Sequence, residues 1–248
     1  ALSGEPGGTP VTPGSTSLGD YISGLYGAVG VLIALRHRDL TGQGQKIDIG
    51  LYESVFRVLD ELAPAYGRNG IVREAEGSGT RNACPHGHFP TKDDKWIALA
   101  CTTDKMFTRL AEAMDKPKLA STEQFGDLRK RLAANESVNR LVAAWTGSLS
   151  RDEIMDKCLA HDVPAGPLNT IADIFEDPQF AERENLLRFD HPELGEIVVP
   201  NVFPKLSKTP GHVTSLGPAL GQNTDDILQS MVGLSLEEIK SLRDSGVI

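Results

Sequence analysis

The sequence has few cysteines, and their placement excludes several kinds of site. Three cysteines occur in 248 residues, and Cys84, Cys101 and Cys158 are far apart and odd in number. They form neither a zinc-binding pattern nor a disulfide framework, which is typical of a protein in a reducing compartment. An uninterrupted apolar run of membrane-spanning length and a basic, apolar, small-residue signal are also lacking. The sequence therefore predicts a cytoplasmic protein without a membrane partner.

Positive charge is also in short supply. Lys and Arg number 25 against 34 Asp and Glu, which gives a formal net charge of −9 and a pI near 5.2. This balance argues against nucleic acid or anionic lipid as a partner, although it leaves room for a local basic pocket. With 40% hydrophobic and 24% charged residues, the chain has the composition of a globular protein of one large or two modest domains.

The chain opens with ALSGEPGGTPVTPG, which is dense in glycine and proline and lacks an initiator methionine. Such a segment predicts a loop that enters a fold already under way, so we expect the chain to be part of a longer protein. A helix is predicted next, over residues 21–38, because its apolar residues recur at spacings of three and four. Gly24, Gly27 and Gly30 cost this helix roughly 1 kcal/mol each relative to alanine. We therefore expect close packing of the helix against another element or a ligand.

The rest of the chain alternates between short strands and helices, with a polar glycine-rich loop over 67–95 as a candidate domain boundary. Strands are predicted at 46–52 and 96–101, and a hairpin at 186–190 and 196–200. A linker is predicted over 163–170. Helices are predicted at 53–62, 103–114, 125–134, 136–147, 151–161, 171–176 and 178–184, and after the capping box of Ser235 and Glu238.

Asp20 allows two interpretations. Ser17 and Asp20 have capping-box spacing, which places Asp20 in the first helical turn, facing the positive end of the helix. The local pattern alone favours this capping role. A carboxylate beside helix N–H groups nevertheless stays ionised, and an ionised aspartate can attack an acyl carbon to form a covalent intermediate.

The loop before residue 96 holds the other candidate residues. Cys84, His86 and His88 lack a further metal ligand at suitable spacing, so ordinary loop polarity is favoured and no metal is expected. Gly77, Ser78 and Gly79 lack the lysine of a phosphate-binding loop, and they predict a mobile lid or a plain loop. Arg73 and Arg81 flank this run and could hold a carboxylate in fork geometry, although solvated arginines are commoner.

Three ordered stretches resemble the class III CoA-transferase family, the formyl-CoA transferase and CaiB/BaiF group. They are GDYISGLYGAVGVLIALRHRDLTGQGQKIDIGLYESV at 19–55, VPAGPLNTIADIFEDPQFAERE at 163–184 and GPALGQNTDDIL at 217–228, before a closing GVI. The resemblance implies an α/β fold: part of a doubly wound parallel-sheet large domain, 1–70 and 166–248, and a smaller, mainly helical α+β domain, 71–165. The family's first half-sheet, which supplies much of the CoA pocket, is absent from this chain. An interlocked homodimer, or assembly with a chain that carries the missing N-terminal half, is therefore implied.

The resemblance also implies an activity and assigns residues to it. The family nucleophile falls on Asp20, which would pass CoA between carboxylic acids in a ping-pong reaction through an aspartyl-CoA thioester. Leu51 falls near the CoA, and Gly77, Ser78 and Gly79 fall on the family's lid. The loop resembles those of members that use small dicarboxylates such as succinate, malate, citramalate or mesaconate, for which Arg73 or Arg81 would bind the distal carboxylate. Coenzyme A enters as the acyl-CoA substrate, without a metal. Two alternatives remain: an α-methylacyl-CoA racemase-like enzyme and a non-catalytic fragment or subunit.

Overall fold

The structure, a computed structural model, describes residues 3–12 and 16–248. The chain divides into two compact units, residues 1–168 and residues 169–248. Both contain helices and a small antiparallel sheet, which confirms the predicted mixed α/β class at that level. The finer division into three domains stays a prediction. Part of the predicted opening loop, at 1–2 and 13–14, lies outside the described residues, and residues 3–12 form turns without a helix or strand.

The first unit opens with three helices: α1 at Leu18–Thr41, α2 at Leu51–Arg57 and α3 at Leu62–Asn69. Helix α1 ends at Gly42, whose positive φ of 77° lets its N–H bond the Arg38 carbonyl at 2.7 Å. The single helix predicted at 53–62 is wrong, because the chain breaks after α2 and restarts as α3. Pro64 lies in the first turn of α3, where a missing backbone N–H costs nothing.

The strand predicted at 46–52 is also wrong, since residues 43–50 form neither helix nor strand. The alternating isoleucines pack instead on the glycines of α1. A Cβ placed on Gly27 would lie 3.6 Å from Ile49 Cδ1, and one on Gly30 would lie 3.5 Å from Ile47 Cγ2. Close packing of the helix is therefore confirmed at two of its glycines, whereas a Cβ on Gly24 would meet no described atom within 4 Å.

A three-stranded antiparallel sheet follows, in the order β1–β2–β3. Its strands are β1 at His86–Pro90, β2 at Trp96–Ala100 and β3 at Ala165–Pro167. The prediction of β2 is confirmed, but the loop predicted at 67–95 and the linker at 163–170 each contain a strand. Neither β1 nor β3 carries an apolar alternation of its own, because both are held by pairing with the central strand.

Helices α4 to α7 cover this sheet and form the core of the unit. They span Asp104–Ala113, Leu128–Ala133, Asn135–Thr146 and Arg151–Ala160, with a short 3₁₀ turn at Pro117–Ala120. Alternation along β2 buries Ile97 and Leu99 on one face, where they join Phe107 of α4 and Val142 of α6. Burying each such side chain stabilises the folded state by about 1.5–3 kcal/mol relative to leaving it in water. This core fixes the strand that carries the two histidines of the glycine-rich loop.

Helix α1 contrasts with that core because its apolar residues are largely exposed in this chain, among them Leu25, Leu32 and Ile33. Within the described residues it is the helix that is long and apolar enough to cross a membrane, with a mean hydropathy of 1.5 over its best window. Its uncharged run, between Asp20 and Arg36, is shorter than the 18-residue window of that test, so the sequence-based statement about uninterrupted apolar runs is not contradicted. Core helices of globular proteins and signal sequences pass the same test.

The second unit contains short helices, a hairpin and a C-terminal helix. Helices α8 and α9 span Ile171–Glu176 and Pro178–Glu182, β4 and β5 span Leu186–His191 and Gly195–Pro200, and α10, a π turn and α11 span Thr224–Ile227, Leu228–Val232 and Leu236–Asp244. The hairpin and the final helix confirm the predictions. The capping box of Ser235 and Glu238 forms as expected, because the Glu238 carboxylate accepts the Ser235 backbone N–H at 2.7 Å.

Candidate functional site

Asp20 lies at the third position of α1, in its first turn, with its side chain exposed. The predicted first-turn position is confirmed, but the capping box is not, since the Ser17 side chain makes no cap hydrogen bond. The N-terminal end of this 24-residue helix carries free backbone N–H groups and the positive end of the helix dipole beside Asp20. Asp20 is therefore a solvent-accessible carboxyl group at a helix N-terminus.

Helix α2 lies beside this turn. A Cβ on Gly19 would lie 3.6 Å from Val55 Cγ2, so the glycine lets α2 approach the residue next to Asp20. Leu51 precedes Val55 by one helical turn, on the same face of α2, and is exposed. Where the two helices meet, the buried Ser23 hydroxyl has no hydrogen-bond partner among the described residues. Leu51 is thus placed on the side of α2 that packs against the first turn of α1.

The segment Gly77–Ser78–Gly79 forms a tight turn attached to its neighbours at both ends. Gly77 has a φ of 63°, which favours glycine, and its N–H bonds the Gly4 carbonyl at 3.0 Å. The Ser78 hydroxyl oxygen accepts the backbone N–H of His88 at 2.9 Å. The turn is therefore tethered both to the opening segment and to strand β1.

Arg73 and Arg81 both face a protein carboxylate. Glu76 accepts a hydrogen bond from Arg81 Nε, and its Oε2 lies 3.6 Å from Arg73 Nη2. Arg73 Nη1 also donates to Glu61. The two arginines are thus brought together around Glu76. Sequence reasoning missed both glutamates; the signal that could have revealed Glu76 is its spacing of three and five residues from the arginines.

Two neighbouring cavities meet at this turn. The larger has a volume of about 920 Å³ and lies between the turn, strand β1 and helix α6, and the smaller, of about 510 Å³, lies between the turn and the connection from α2 to α3. Gly77 and Gly79 line both. Asp20 and Leu51 line neither, so the described chain gathers the loop residues but does not bring Asp20 into the same cavity.

The larger cavity is walled by polar groups from two elements. His86 Nδ1 on β1 and Asn139 Oδ1 on α6 are buried and have no hydrogen-bond partner among the described residues. The Asn139 amide nitrogen donates to Asn135 Oδ1 at 2.7 Å. A buried polar atom without a partner lowers the stability of the fold by about 1–3 kcal/mol. This wall of the cavity therefore has two polar atoms that lack hydrogen bonds within the described residues.

The loop cysteine and the two histidines are not gathered into a set of metal ligands among the described residues. Burial raises the pKa of the Cys84 thiol to about 11, so the metal-free thiol is protonated at neutral pH. Within residues 3–12 and 16–248, no group of three or more His, Cys, Asp and Glu side chains is arranged to hold a metal ion.

Asp20 is thus an exposed aspartate in the first turn of α1, and the arginine-flanked turn lies at two cavities that Asp20 does not line. The sequence model of CoA-transferase family III matches residues 1–224, so the chain belongs to that family. It spans 58% of the length of the first curated relative that it matches, the α subunit of succinyl-CoA–L-malate CoA-transferase from Chloroflexus aurantiacus.

That relative is 58% identical over the whole chain, and the β subunit of the same enzyme is 55% identical, with the chain covering 62% of its length. Among solved structures, a CaiB/BaiF family protein from Brucella suis superposes with a TM-score of 0.75 at 29% identity. That match covers 91% of this chain and 58% of the other. The resemblance stated from the three sequence stretches is therefore confirmed.

Proposed function

We propose that this chain is the nucleophile-bearing part of a CoA-transferase that moves CoA from succinyl-CoA to a small dicarboxylate, with L-malate as the first acceptor to test. The observation that carries the proposal is the position of Asp20: an exposed carboxylate in the first turn of α1, in a chain of the CoA-transferase family III. The identity of 58% to a subunit that acts on succinyl-CoA and L-malate supports this choice of acids.

The chemistry uses one carboxylate in four steps. An Asp20 oxygen attacks the thioester carbon of succinyl-CoA, the C–S bond breaks, and CoA leaves as a thiolate from a mixed anhydride. The thiolate attacks the Asp20 carbonyl carbon and expels succinate, which leaves an aspartyl-CoA thioester. A malate carboxylate then attacks that carbon and displaces the thiolate. Finally the thiolate attacks the malyl carbonyl, which gives malyl-CoA and regenerates the Asp20 carboxylate.

Each step passes through an oxyanion, which needs hydrogen-bond donors in place before the reaction. Backbone N–H groups at the start of α1 are suitable donors, because the first turn of a helix leaves them outside its own ladder. Gly19 lets α2 approach this turn. The turn Gly77–Ser78–Gly79 is the second supplier that we assign, acting as a lid, and Leu51 would contact the CoA.

The assembly belongs to the same proposal. The exposed apolar side of α1 needs another protein segment packed against it. We assign that role to the remaining part of a doubly wound sheet. An interlocked second copy, or a chain that carries the missing N-terminal half, would supply it. The relatives' description as α and β subunits supports such an assembly. We place the enzyme in the cytoplasm on the strength of its free, buried cysteines.

An exchange assay tests this proposal. The intact protein is incubated with succinyl-CoA and a panel of acids, namely L-malate, citramalate, mesaconate and acetate, and the new CoA thioesters are identified by mass spectrometry. We expect malyl-CoA from the wild type and none from Asp20→Asn. Malyl-CoA formation at the wild-type rate by Asp20→Asn would remove Asp20 from the mechanism. Deuterium entry at the α-carbon of a branched acyl-CoA, without acyl exchange, would favour a racemase.

A further inference from the structure

Glu76 forms a partly buried ion pair that differs from the surface pairs of this chain. The side chains of Arg73 and Glu76 are only 20% and 21% exposed, whereas those of the Arg57–Asp60 pair are 67% and 84% exposed. Charge pairs that are shielded from water interact more strongly than those on the surface. Arg73 and Glu76 are therefore shielded from water more than the residues of that surface pair.

Arg73 has donor capacity that Glu76 does not use. Its Nη1 donates to Glu61, but its Nε is buried without a hydrogen-bond partner among the described residues. The Nη2 atom lies 3.6 Å from Glu76 Oε2, which is too long for a hydrogen bond. A carboxylate that binds a guanidinium through two parallel N–H groups would use this Nε and Nη2 edge. Glu76 thus balances the positive charge of Arg73 without forming hydrogen bonds to its Nε and Nη2.

The Glu76 side chain also lies where it can rotate away from Arg73. It is followed by Gly77, whose φ of 63° marks a turn, and the Gly79 N–H closes that turn on the Glu76 carbonyl at 3.2 Å. Glu76 lines both cavities, of about 920 and 510 Å³, so space for a ligand lies on either side of its carboxylate. A small rotation of its side chain would expose the Arg73 edge to a ligand in these cavities.

We propose that Glu76 is an internal stand-in for the distal carboxylate of a dicarboxylate substrate, and that it gives way to that carboxylate on binding. This inference rests on the proposed function. If Glu76 left, Arg73 would keep Glu61, but its Nε and Nη2 edge would face no carboxylate, whereas a ligand carboxylate would restore one there. A dicarboxylate has one carboxylate that reacts and a second that can bind the arginines. A monocarboxylate has no second group with which to displace Glu76.

The test is Glu76→Gln in the intact protein, with Glu74→Gln as the matched control. Glu74 lines the same two cavities, so its substitution removes one negative charge there while leaving Glu76 in place. We expect Glu76→Gln to lower the KM for L-malate about 3- to 10-fold, the equivalent of one weak ion pair, with kcat changed less than about twofold. The KM for acetate should not change, and Glu74→Gln should leave both KM values within about twofold.

Calorimetric titration of L-malate gives a readout that does not need turnover. Tighter malate binding by Glu76→Gln supports the stand-in even if CoA transfer is absent, which would count against the proposed function alone. A higher KM or weaker malate binding in Glu76→Gln overturns the inference, and so does an equal tightening in Glu74→Gln. If Glu76→Gln fails to fold, Glu76→Asp replaces it: its shorter carboxylate should lower the malate KM by a smaller factor, and an unchanged or higher KM contradicts the proposal.

Discussion

Arg131 is fully buried, and its Nε donates a hydrogen bond of 2.7 Å to the carbonyl oxygen of Cys84, 47 residues away in the chain. The same guanidinium donates to the Phe125 carbonyl and to Asp104 Oδ1, each at 2.8 Å, and lies 4.7 Å from the centre of the Phe107 ring. One side chain therefore ties α5 to α4 and to the residue that leads into β1. The strand that carries His86 depends on it.

Replacing Arg131 should destabilise the first unit. Arg131→Met removes the donor from the buried Cys84 carbonyl and from the partly buried Phe125 carbonyl, so we expect a loss of about 2–4 kcal/mol in the free energy of unfolding. Urea denaturation followed by circular dichroism measures it. The control is Arg140→Met, because Arg140 and Glu136 form an exposed pair on α6, and we expect a change within about 0.5 kcal/mol. Equal losses in the two variants would show that the buried network contributes nothing of its own.

The three cysteines should be unreactive while the protein is folded. Burial raises the pKa of Cys84 and Cys158 to about 11 and of Cys101 to about 12, so almost no thiolate forms near pH 8. We expect iodoacetamide to label them only after denaturant is added. In the folded state these thiols keep protons that the unfolded chain releases, so stability should fall as the pH rises above the ordinary cysteine value of 9.0. Rapid labelling of the native protein at pH 8 would contradict the burial.

The capping boxes give a contrast between two serines. Ser150→Ala removes a side-chain cap from α7, so we expect a loss of about 0.5–2 kcal/mol, whereas Ser17→Ala should have no measurable effect because Ser17 makes no cap bond. Thermal unfolding of both variants measures the difference. Hydrogen bonds from Ser150 lower the pKa of Glu153, so this part of the stability is present above the ordinary glutamate value and is lost as the pH falls through the lowered one. A larger loss in Ser17→Ala than in Ser150→Ala would contradict the assigned caps.

Gly24 tests the assembly that we propose around α1. A Cβ on Gly24 would meet no described atom, so Gly24→Ala should stabilise the helix itself by up to about 1 kcal/mol. If another part of the intact protein, or CoA, packs on this side of α1, the same substitution should lower kcat/KM at least several-fold. Gly24→Ala with unchanged activity would show that this face of the helix has no close neighbour.

The sequence predicted the elements whose pattern is local and missed those that depend on partners. The capping box of Ser235 and Glu238 and strand β2 carry their own signals, a side-chain cap and an apolar run. Strand β1 does not, because it is defined by its pairing with β2. The alternation of Ile47 and Ile49 was interpreted as a strand, yet in this chain it matches the glycines of α1. The pairing of Arg73 with Glu61, across twelve residues, could not be predicted because it depends on how α3 turns the chain back.

The central claim is that Asp20 carries the acyl group and then CoA. The most direct measurement treats the intact protein with succinyl-CoA, reduces it with borohydride and locates the modified residue by peptide mass spectrometry, with Asp39→Asn, at the far end of α1, as the control variant. We predict that residue 20 is converted to homoserine in the wild type and in Asp39→Asn, and that the product is absent in Asp20→Asn or without succinyl-CoA. A reduced adduct on another residue, or none in an enzyme that exchanges CoA at full rate, would contradict the account.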